Sequence, residues 1–274
     1  MSRKITSILY HTANAVTAPL SPRVRFKTKS ALISRVQKDL GAEVATPRGP
    51  LKLLSHRGKN IAAAVSGFET DEPEMLAWID SFKPGEIFWD IGANIGLFTM
   101  YAAMRRDLDV FSFEPNGLNF GIMMEHVILN GLDRHAQCLC IAFAEKNELG
   151  RLVCGDAEAG QAGNNLVEED GTSITKEGAQ SFRQSVPVFS IDAFCELFAL
   201  RAPDHIKLDV DGLEHIILRG GRKTLGQIKS LMIEIEGDEA RKAELLSLVT
   251  ATGLSEQDIS TASGKGRNRL FARG

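Results

Sequence analysis

The sequence predicts a doubly wound α/β fold, in which a mostly parallel sheet is covered by helices on both faces. Short apolar runs typical of strands alternate with longer stretches of helical periodicity, and this alternation indicates parallel strands joined by helices. The first central run, 86–91, is apolar almost throughout, as a buried parallel strand should be. A turn of small residues follows it directly, which is how a strand delivers the chain to a ligand in this fold class.

The order of the elements follows from apolar periodicity and from the residues that end each run. Four apolar residues at helical spacing predict a helix over 72–82, which Lys83-Pro84-Gly85 ends. The strands are expected at 86–91, 108–113, 136–143, 205–210 and 230–235. The helices between and after them are expected at 95–105, at 117–130, from about 212 with an interruption at Gly220-Gly221, and at 239–252.

The N-terminal part of the chain differs in charge from the rest. Residues 1–42 are expected to form a basic, partly helical arm, and 43–274 a single domain that opens with a small β-rich lead-in. Residues 1–60 carry twelve Lys and Arg against two Asp and Glu, whereas the remaining 214 residues carry 20 against 33. Two interpretations stay open: peripheral contact with an anionic surface such as lipid, an acidic glycan, nucleic acid or a partner subunit, and a solvated leader.

Composition excludes several classes of protein. No apolar run reaches the 18 residues of a membrane span, and 5–20 lacks the compact apolar segment of a secretory signal. The four cysteines form no CxxC pair, so we expect reduced thiols in a cytoplasmic protein and no zinc site.

The turn after the first central strand, Asp90-Ile91-Gly92-Ala93-Asn94-Ile95-Gly96, indicates the class of ligand. Counted from Gly92, the dinucleotide fingerprint G-x-G-x-x-G would need glycines where Asn94 and Leu97 stand, so NAD and FAD are disfavoured. The phosphate-binding motif G-x-x-x-x-G-K-[ST] does not occur in the sequence. An acidic residue followed by two spaced glycines is instead typical of S-adenosylmethionine (SAM) enzymes.

Glu114 supports a nucleoside ligand. It ends the second central strand, 20 residues after Asn94, where a doubly wound fold places the acid that accepts hydrogen bonds from ribose hydroxyls. In the turn itself, Gly92 and Gly96 carry no Cβ, so the backbone can approach a ligand and the next helix can pack on the strand. The alternative is an ordinary strand–turn–helix with a surface glutamate.

These motifs, in their order and spacing, resemble the FkbM-type SAM-dependent methyltransferases from about residue 45 to the C-terminus. The blocks that carry the resemblance are Phe88–Thr99, Phe113-Glu114-Pro115, Asn130-Gly131, Ile206–Glu214 and Ile233-Glu234-Ile235. The resemblance implies a seven-stranded, Rossmann-like SAM methyltransferase sheet and S-adenosyl-L-methionine as the cofactor. It also implies a C-terminal antiparallel hairpin, with strands near Ile259 and at Arg269–Arg273. Asp211 departs from the family pattern, which usually has Glu there.

The cofactor is expected beyond the carboxyl ends of the strands, where strand order reverses between the first and fourth central strands. Asp90 is assigned to the ammonium group of the methionine portion, with support of the turn as the alternative role. Ala142 follows the third strand, near the adenine. The full set of expected cofactor-binding residues is Asp90, Gly92, Ala93, Asn94, Gly96, Glu114, Pro115 and Ala142.

The residues after the fourth central strand are expected to act on the methyl acceptor. Because a hydroxyl is a poor nucleophile until its proton leaves, Asp209, Asp211 and His215, in that order, are the candidate general bases. Asp209 and Asp211 share a face of an extended chain, and Asp211 and His215 share a face of a helix. A structural role competes, because Asp211-x-x-Glu214 also has the form of a capping box that begins a helix. Glu234 would allow a nearby divalent ion, but no Asp-Asn pair follows the fifth strand and no metal is predicted.

The sequence therefore predicts an O-methyltransferase that acts on a hydroxyl of a sugar, a polysaccharide or a secondary metabolite. The first alternative is an RNA or DNA methyltransferase with the basic arm as a tether. No Asn-Pro-Pro-Tyr or Asp-Pro-Pro-Tyr motif follows the fourth strand, however, and aromatic residues make up only 7% of the chain, which leaves few stacking platforms for bases. The second alternative is a non-catalytic SAM-binding protein.

Overall fold

The computed structural model describes residues 2–39, 41–54, 59–154, 160, 165–166, 181–210, 212–235, 237–259 and 268–274. The chain divides into two units, Met1–Ala42 and Glu43–Gly274. The first unit contains two helices, α1 (Ser2–Thr17) and α2 (Pro22–Asp39). Proline suits the first position of α2, because the N–H that it lacks would have no helical partner there.

The elements after α2 build the sheets and their flanking helices. The chain first forms β1 (Ala42–Thr46), β2 (Gly49–Leu53), α3 (Lys59–Gly67) and α4 (Pro73–Asp80). It continues with β3 (Ile87–Ile91), α5 (Leu97–Ala103), β4 (Asp109–Phe113), α6 (Gly117–Leu129), β5 (Ala136–Leu139), β6 (Ala142–Phe143), β7 (Glu148–Cys154), β8 (Asn165–Leu166), β9 (Phe182–Phe189), α7 (Ile191–Leu197), β10 (His205–Leu208), α8 (Glu214–Arg219), α9 (Arg222–Leu225), β11 (Ser230–Glu234), α10 (Glu239–Thr250), β12 (Ser255–Gln257) and β13 (Asn268–Ala272). In the described part of the chain, no helix combines the length and the apolar character that crossing a membrane requires.

The main sheet has the strand order β12-β13-β11-β10-β3-β4-β5 within the described residues. Neighbouring strands pair in parallel except at β13, which runs antiparallel to both β11 and β12. From β3 the chain moves outward to β4 and β5 on one side, and it later returns to β10 and β11 on the other, so strand order reverses between β3 and β10. These features confirm the predicted doubly wound, seven-stranded fold with its C-terminal antiparallel hairpin.

Some local predictions are wrong. A single strand over 136–143 is not formed: β5 ends at Leu139, and Ala142–Phe143 pairs with β9 in a second sheet of order β6-β9-β7-β8. A two-residue strand is too short for a local pattern to reveal its partner. The sixth strand of the main sheet forms at Ser255–Gln257 rather than near Ile259. Helices α3 and α7 have no counterpart in the sequence prediction.

The two faces of β3 contribute to two separate apolar clusters. On one face, the ring of Trp89 packs against Phe113 and Phe143, with ring centroids 5.0 and 5.9 Å apart. Phe88 joins the cluster on the other face, because successive side chains of a strand point to opposite sides. Asp90, two residues after Phe88, therefore points to the face on which α5 packs.

At the amino ends of the central strands, Glu86 anchors a buried polar network. Its Oε2 lies 2.8 Å from Nε2 of His205, and its Oε1 accepts a hydrogen bond from Lys229 at 2.7 Å. Burial alone would raise the pKa of Glu86, but hydrogen bonds from Lys229, His205 and the Lys83 backbone outweigh it and lower the pKa to about 2. The network ties together the starts of β3, β10 and β11, at the opposite edge of the sheet from the carboxyl ends of these strands.

This network makes the stability of the fold depend on pH. Because the pKa of Glu86 is lower in the folded chain than its ordinary value of 4.5, its contribution is present above pH 4.5 and is lost as the pH falls toward 2. Glu86→Gln should lower the free energy of unfolding at neutral pH by about 2 kcal/mol and weaken its pH dependence on the acid side. Urea unfolding from about pH 3 to pH 7 measures both effects. Glu239→Gln, at an exposed residue of α10, is the control, and identical pH slopes in wild type and Glu86→Gln would contradict the prediction.

Candidate functional site

The carboxyl ends of β3, β4 and β10 border a pocket at the reversal of strand order. It is a partly open pocket of about 350 Å³, a volume that includes space continuous with solvent, and its walls are mainly apolar. The lining residues are Ile91, Gly92, Phe113, Pro115, Ile141, Ala142, Phe143, Leu152, Val210, Leu213 and Ile217. Three of the residues expected to bind the cofactor, Gly92, Pro115 and Ala142, are among them. Such walls suit a flat heteroaromatic ring such as a nucleobase.

Three residues of the turn after β3 have positive φ: Gly92 at +81°, Asn94 at +52° and Gly96 at +82°. A Cβ on Gly92 would lie 1.8 Å from the carbonyl oxygen of Asp209, and a Cβ on Gly96 would lie 2.6 Å from Cγ of Met123. Because Gly92 has no Cβ, the turn can pack against the end of β10. Because Gly96 has none, the turn can pack against α6. This packing brings the elements around the pocket together.

The turn is fastened to the end of β4 by backbone hydrogen bonds. Gly92 and Ala93 donate their N–H groups to the carbonyl oxygen of Phe113 at 3.0 and 3.1 Å. Asn94 places its side-chain Oδ1 in a buried position, and the described residues provide no hydrogen-bond donor for it. Because a buried carbonyl without a donor is costly, this atom fits a site that is completed by a donor group of a ligand.

Glu114, directly after β4, is joined to the same turn. Its Oε2 accepts a hydrogen bond from the backbone N–H of Asn94, and its Oε1 accepts one from the backbone N–H of Asn116, both at 2.8 Å. Burial raises the pKa of Glu114 to about 7, although these N–H groups, the Asn119 side chain and the charge of Lys207 oppose the shift. A carboxylate offers about four lone-pair positions, and three donors to Glu114 are found among the described residues, so its expected contact with a ribose hydroxyl stays a prediction.

Asp90 lies beneath the turn and is fully buried. Its Oδ2 accepts a hydrogen bond from Oγ1 of Thr99 at 2.7 Å, and that hydroxyl is also 2.7 Å from Oγ of Ser112. Its Oδ1 lies 3.4 Å from Nζ of Lys207. The structure thus gives Asp90 a supporting position below the turn, and its contact with the ammonium group of a ligand stays a prediction.

Lys207 is the central residue that the sequence prediction omits. It is buried in β10, and its Nζ lies 3.1 Å from Asp209, 3.4 Å from Asp90 and 3.3 Å from the carbonyl oxygen of Gly92. Burial opposes the charge of Lys207, but the carboxylates of Asp209, Asp90 and Glu72 outweigh it and raise the pKa. A signal does exist in the sequence, because period two puts Lys207 and Asp209 on one face of a strand. The register then places Lys207 directly beside Asp90.

The three candidate bases have different positions. The side chain of Asp209 is 35% exposed, at the carboxyl end of β10. His215 is half-buried in the first turn of α8. Asp211 lies outside the described residues. The capping-box prediction is wrong for Glu214, because α8 begins at Glu214 itself and Leu213 is its N-cap; the Glu214 carboxylate accepts the N–H groups of Val210 and Gly212 instead.

Glu72 is a second residue of the site that the sequence prediction omits. It precedes α4, and its Oε2 accepts a hydrogen bond at 3.0 Å from Nδ2 of Asn268, which also donates to Glu74. Burial raises the pKa of Glu72; Lys207 and Asn268 oppose this shift, and Asp209 and Glu74 add to it. Carboxylates therefore outnumber cations here, which favours a cationic or hydrogen-bond-donating ligand. Across the described residues, no group of three or more His, Cys, Asp or Glu side chains could hold a metal ion.

The contact between Gly92 and the end of β10 can be tested with a matched pair of glycine variants. Gly92→Ala should lower the free energy of unfolding by about 3 kcal/mol or more, because the new Cβ combines positive φ with a backbone clash. Gly131→Ala, with φ of +64° and open space around the glycine, should lose only about 1 kcal/mol. Urea unfolding compares the two, and equal losses would show that the close approach to Asp209 is not a constraint.

Comparison with known proteins places these features in a family. Residues 90–253, more than half of the chain, match the methyltransferase FkbM domain. Hexuronic acid methyltransferase AglP from Haloferax volcanii is 22% identical over 157 residues, which are 57% of this chain and 59% of that protein. The structure of methyltransferase FkbM from Methylobacillus flagellatus KT is 16% identical with a TM-score of 0.46, over 78% of this chain and 54% of that chain. Precorrin-6y C5,15-methyltransferase from Geobacter metallireducens GS-15 is 10% identical with a TM-score of 0.43, over 74% of this chain and 87% of that chain.

This chain spans 59% of the length of the curated relative and 54% of the first of the two structures. The domain match covers the turn after β3, Glu114 and the residues after β10, which surround the pocket. The chain therefore belongs to the FkbM methyltransferase family, whose cofactor is S-adenosylmethionine.

Proposed function

We propose that this chain is an O-methyltransferase that transfers the methyl group of SAM to a hydroxyl of a sugar, a polysaccharide or another secondary metabolite. The observation that carries the proposal is the position of the apolar pocket. Its lining includes Pro115, next to Glu114, and Val210, next to Asp209. A candidate ribose-binding acid and a candidate base thus flank one crevice at the reversal of strand order, where ligands of this fold class bind.

The cofactor side of the crevice is built before any ligand binds. SAM supplies a methyl group on a sulfonium, so the C–S bond breaks as the new O–C bond forms. The apolar lining would hold the adenine, Glu114 would accept one ribose hydroxyl, and Oδ1 of Asn94 would accept a donor group of the ligand. Because hydrogen bonds within the turn already fix Asn94 and Glu114, little conformational entropy is lost when the cofactor binds.

Asp209 is the first candidate for taking the proton of the acceptor hydroxyl. Lys207 lies 3.1 Å from its Oδ2 and compensates its charge, and the Asp209 side chain is 35% exposed, so a hydroxyl can approach the carboxylate. The carboxylate would accept the proton of the acceptor hydroxyl, which would make its oxygen the nucleophile that methyl transfer requires. Asp211 and His215 are the other candidates.

A carbohydrate acceptor is supported by the curated relative, whose name states that it is a methyltransferase of a hexuronic acid. Sugar hydroxyls are hydrogen-bond donors, and the carboxylates of Asp209 and Glu72 at this end of the sheet match them. An acidic sugar also presents a carboxylate, whose methylation would give a methyl ester and would need no general base. Methylation of a hydroxyl gives a methyl ether instead. Treatment of the product with alkali distinguishes them, because a methyl ester hydrolyses whereas a methyl ether does not.

The role of Glu114 in cofactor binding can be tested with an amide variant. In Glu114→Gln, an NH₂ group would face the N–H of Asn94 or of Asn116, donor against donor, so S-adenosylhomocysteine should bind about tenfold more weakly or worse. Because the pKa of Glu114 is about 7, wild-type affinity should rise with pH as the carboxyl group ionises near pH 7, and the variant should lack this step. Calorimetry across this pH range measures both effects. Glu148→Gln, at an exposed residue of β7, should behave as wild type, and an unchanged affinity in Glu114→Gln would contradict the assignment.

The acceptor side can be tested by methyl transfer. Purified protein with methyl-labelled SAM should label a carbohydrate fraction of the parent cells. Asp209→Asn, which keeps the shape but loses the basic oxygen, should reduce kcat by about 10²–10⁴-fold. Its affinity for S-adenosylhomocysteine should stay near that of wild type, because the change lies on the acceptor side.

Two further variants complete the test. Asp133→Asn, at an exposed residue before β5, is the control and should leave kcat of methyl transfer unchanged. His215→Gln tests the alternative base: if it reduces kcat more than Asp209→Asn does, His215 rather than Asp209 takes the proton. Label that enters RNA rather than carbohydrate, or no transfer in spite of tight S-adenosylhomocysteine binding, would overturn the proposed function in favour of a nucleic-acid methyltransferase or a non-catalytic SAM-binding protein.

A further inference from the structure

The N-terminal unit, α1 and α2, carries large apolar side chains on its surface. In α1, Ile5, Ile8, Leu9 and Val16 recur at helical spacing and form one stripe along the helix. Their exposed fractions are 50%, 64%, 64% and 69%. A contiguous exposed stripe of this kind marks an interaction surface rather than ordinary surface composition.

The two helices are joined through the polar side of α1. Nζ of Lys29 donates a hydrogen bond to Oδ1 of Asn14, and Nε of Arg25 donates one to the carbonyl oxygen of Thr17 at 3.1 Å. Asn14 lies on the side of α1 opposite the apolar stripe, and the Thr17 carbonyl oxygen lies at the C-terminal end of the helix. In a water-soluble hairpin the apolar sides usually face each other, so this arrangement leaves the stripe available to something outside the unit.

Helix α2 adds exposed aromatic and basic residues. Phe26 and Ile33, seven residues apart on one face, are 73% and 57% exposed. Arg23 and Lys27, near Phe26 on the same helix, are exposed too. Long basic side chains beside an apolar face can lay their methylene stems along it while their charges reach an anionic group.

The charge of the unit selects the kind of partner. Residues 1–42 carry eight Lys and Arg against one Asp, a net charge of +7, whereas residues 43–274 carry a net charge of −10. A nucleic acid would match the basic residues but would leave the Ile and Leu stripe unused. An apolar protein groove would match the stripe but would not need so many cations. An anionic lipid surface matches both, because it combines negative headgroups with an apolar layer just beneath them.

We propose that α1 and α2 dock this protein onto an anionic lipid bilayer surface. The apolar stripe of α1 and Phe26 enter the boundary between headgroups and acyl chains, and the Lys and Arg side chains contact the anionic headgroups. The catalytic unit is thereby held next to acceptors that reside at a membrane. This docking is independent of the proposed reaction, because the cofactor pocket is lined by residues of the second unit.

The test is flotation of the full chain with lipid vesicles. Vesicles of phosphatidylcholine with phosphatidylglycerol should carry the protein to the top of the gradient, and vesicles of phosphatidylcholine alone should carry much less. Raising the salt concentration should weaken the binding, because salt screens the attraction between headgroups and basic side chains. Failure of the wild-type chain to float with anionic vesicles at low salt would overturn the proposal.

Variants identify the surface. Ile8→Asp combined with Leu9→Asp should reduce vesicle binding by about tenfold or more, because carboxylates then replace apolar contacts at the bilayer. Leu149→Asp is the matched control, since Leu149 is 76% exposed on β7 of the catalytic unit, and its binding should equal that of wild type. Circular dichroism and S-adenosylhomocysteine binding verify that both variants are folded.

Other occupants of the surface give different results. If the double variant floats like wild type, the stripe does not contact lipid and the proposal fails. If wild type is a dimer on size-exclusion chromatography, stays at the bottom of the gradient and becomes monomeric in the double variant, the occupant is a second copy of the chain. If the protein binds an RNA pool but not vesicles, the basic residues serve a nucleic acid.

Discussion

The arrangement around the pocket depends on one buried ammonium group. Lys207 in β10 neutralises Asp90 in β3, contacts the carbonyl oxygen of Gly92 in the turn and holds Asp209 at the end of its own strand. Burying a charge is costly unless it is paired, and removing one partner of a buried pair typically costs about 3–5 kcal/mol. These contacts join β3 and β10, the two strands between which strand order reverses. The positions of Asp90, Asp209 and the turn after β3 therefore depend on the same cation.

The central part of the fold could be predicted because its signals are local. Strand β3 is apolar except for Asp90, and the small-residue turn and Glu114 follow at fixed spacing, so the fold class and the place of the turn and Glu114 at the carboxyl ends of β3 and β4 can be read from short windows. The contacts of Lys207 could not be derived in this way, because they depend on the register of β10 against β3. The hydrogen bond between Asn268 and Glu72 joins residues 196 positions apart, and no local pattern indicates it.

The spacing between Asn94 and Glu114 has a physical explanation beyond ligand binding. The backbone N–H of Asn94 donates directly to Glu114, so the turn and the acid form one rigid unit. This hydrogen bond joins the carboxyl ends of β3 and β4, so the spacing serves the fold independently of any ligand. At the start of α8, by contrast, the local pattern is misleading. Asp211 and Glu214 have the spacing of a capping box, but Glu214 accepts backbone N–H groups of the preceding loop.

The break between β5 and β6 has a consequence for how this protein can change over evolution. Ala142 and Phe143 contribute to the pocket, yet they pair with β9 of the second sheet, and Leu152 of β7 lies in the same wall. One wall of the pocket is therefore formed by the second sheet rather than by the main sheet. Substitutions in the second sheet can reshape this pocket while β10, which carries Lys207, remains unchanged.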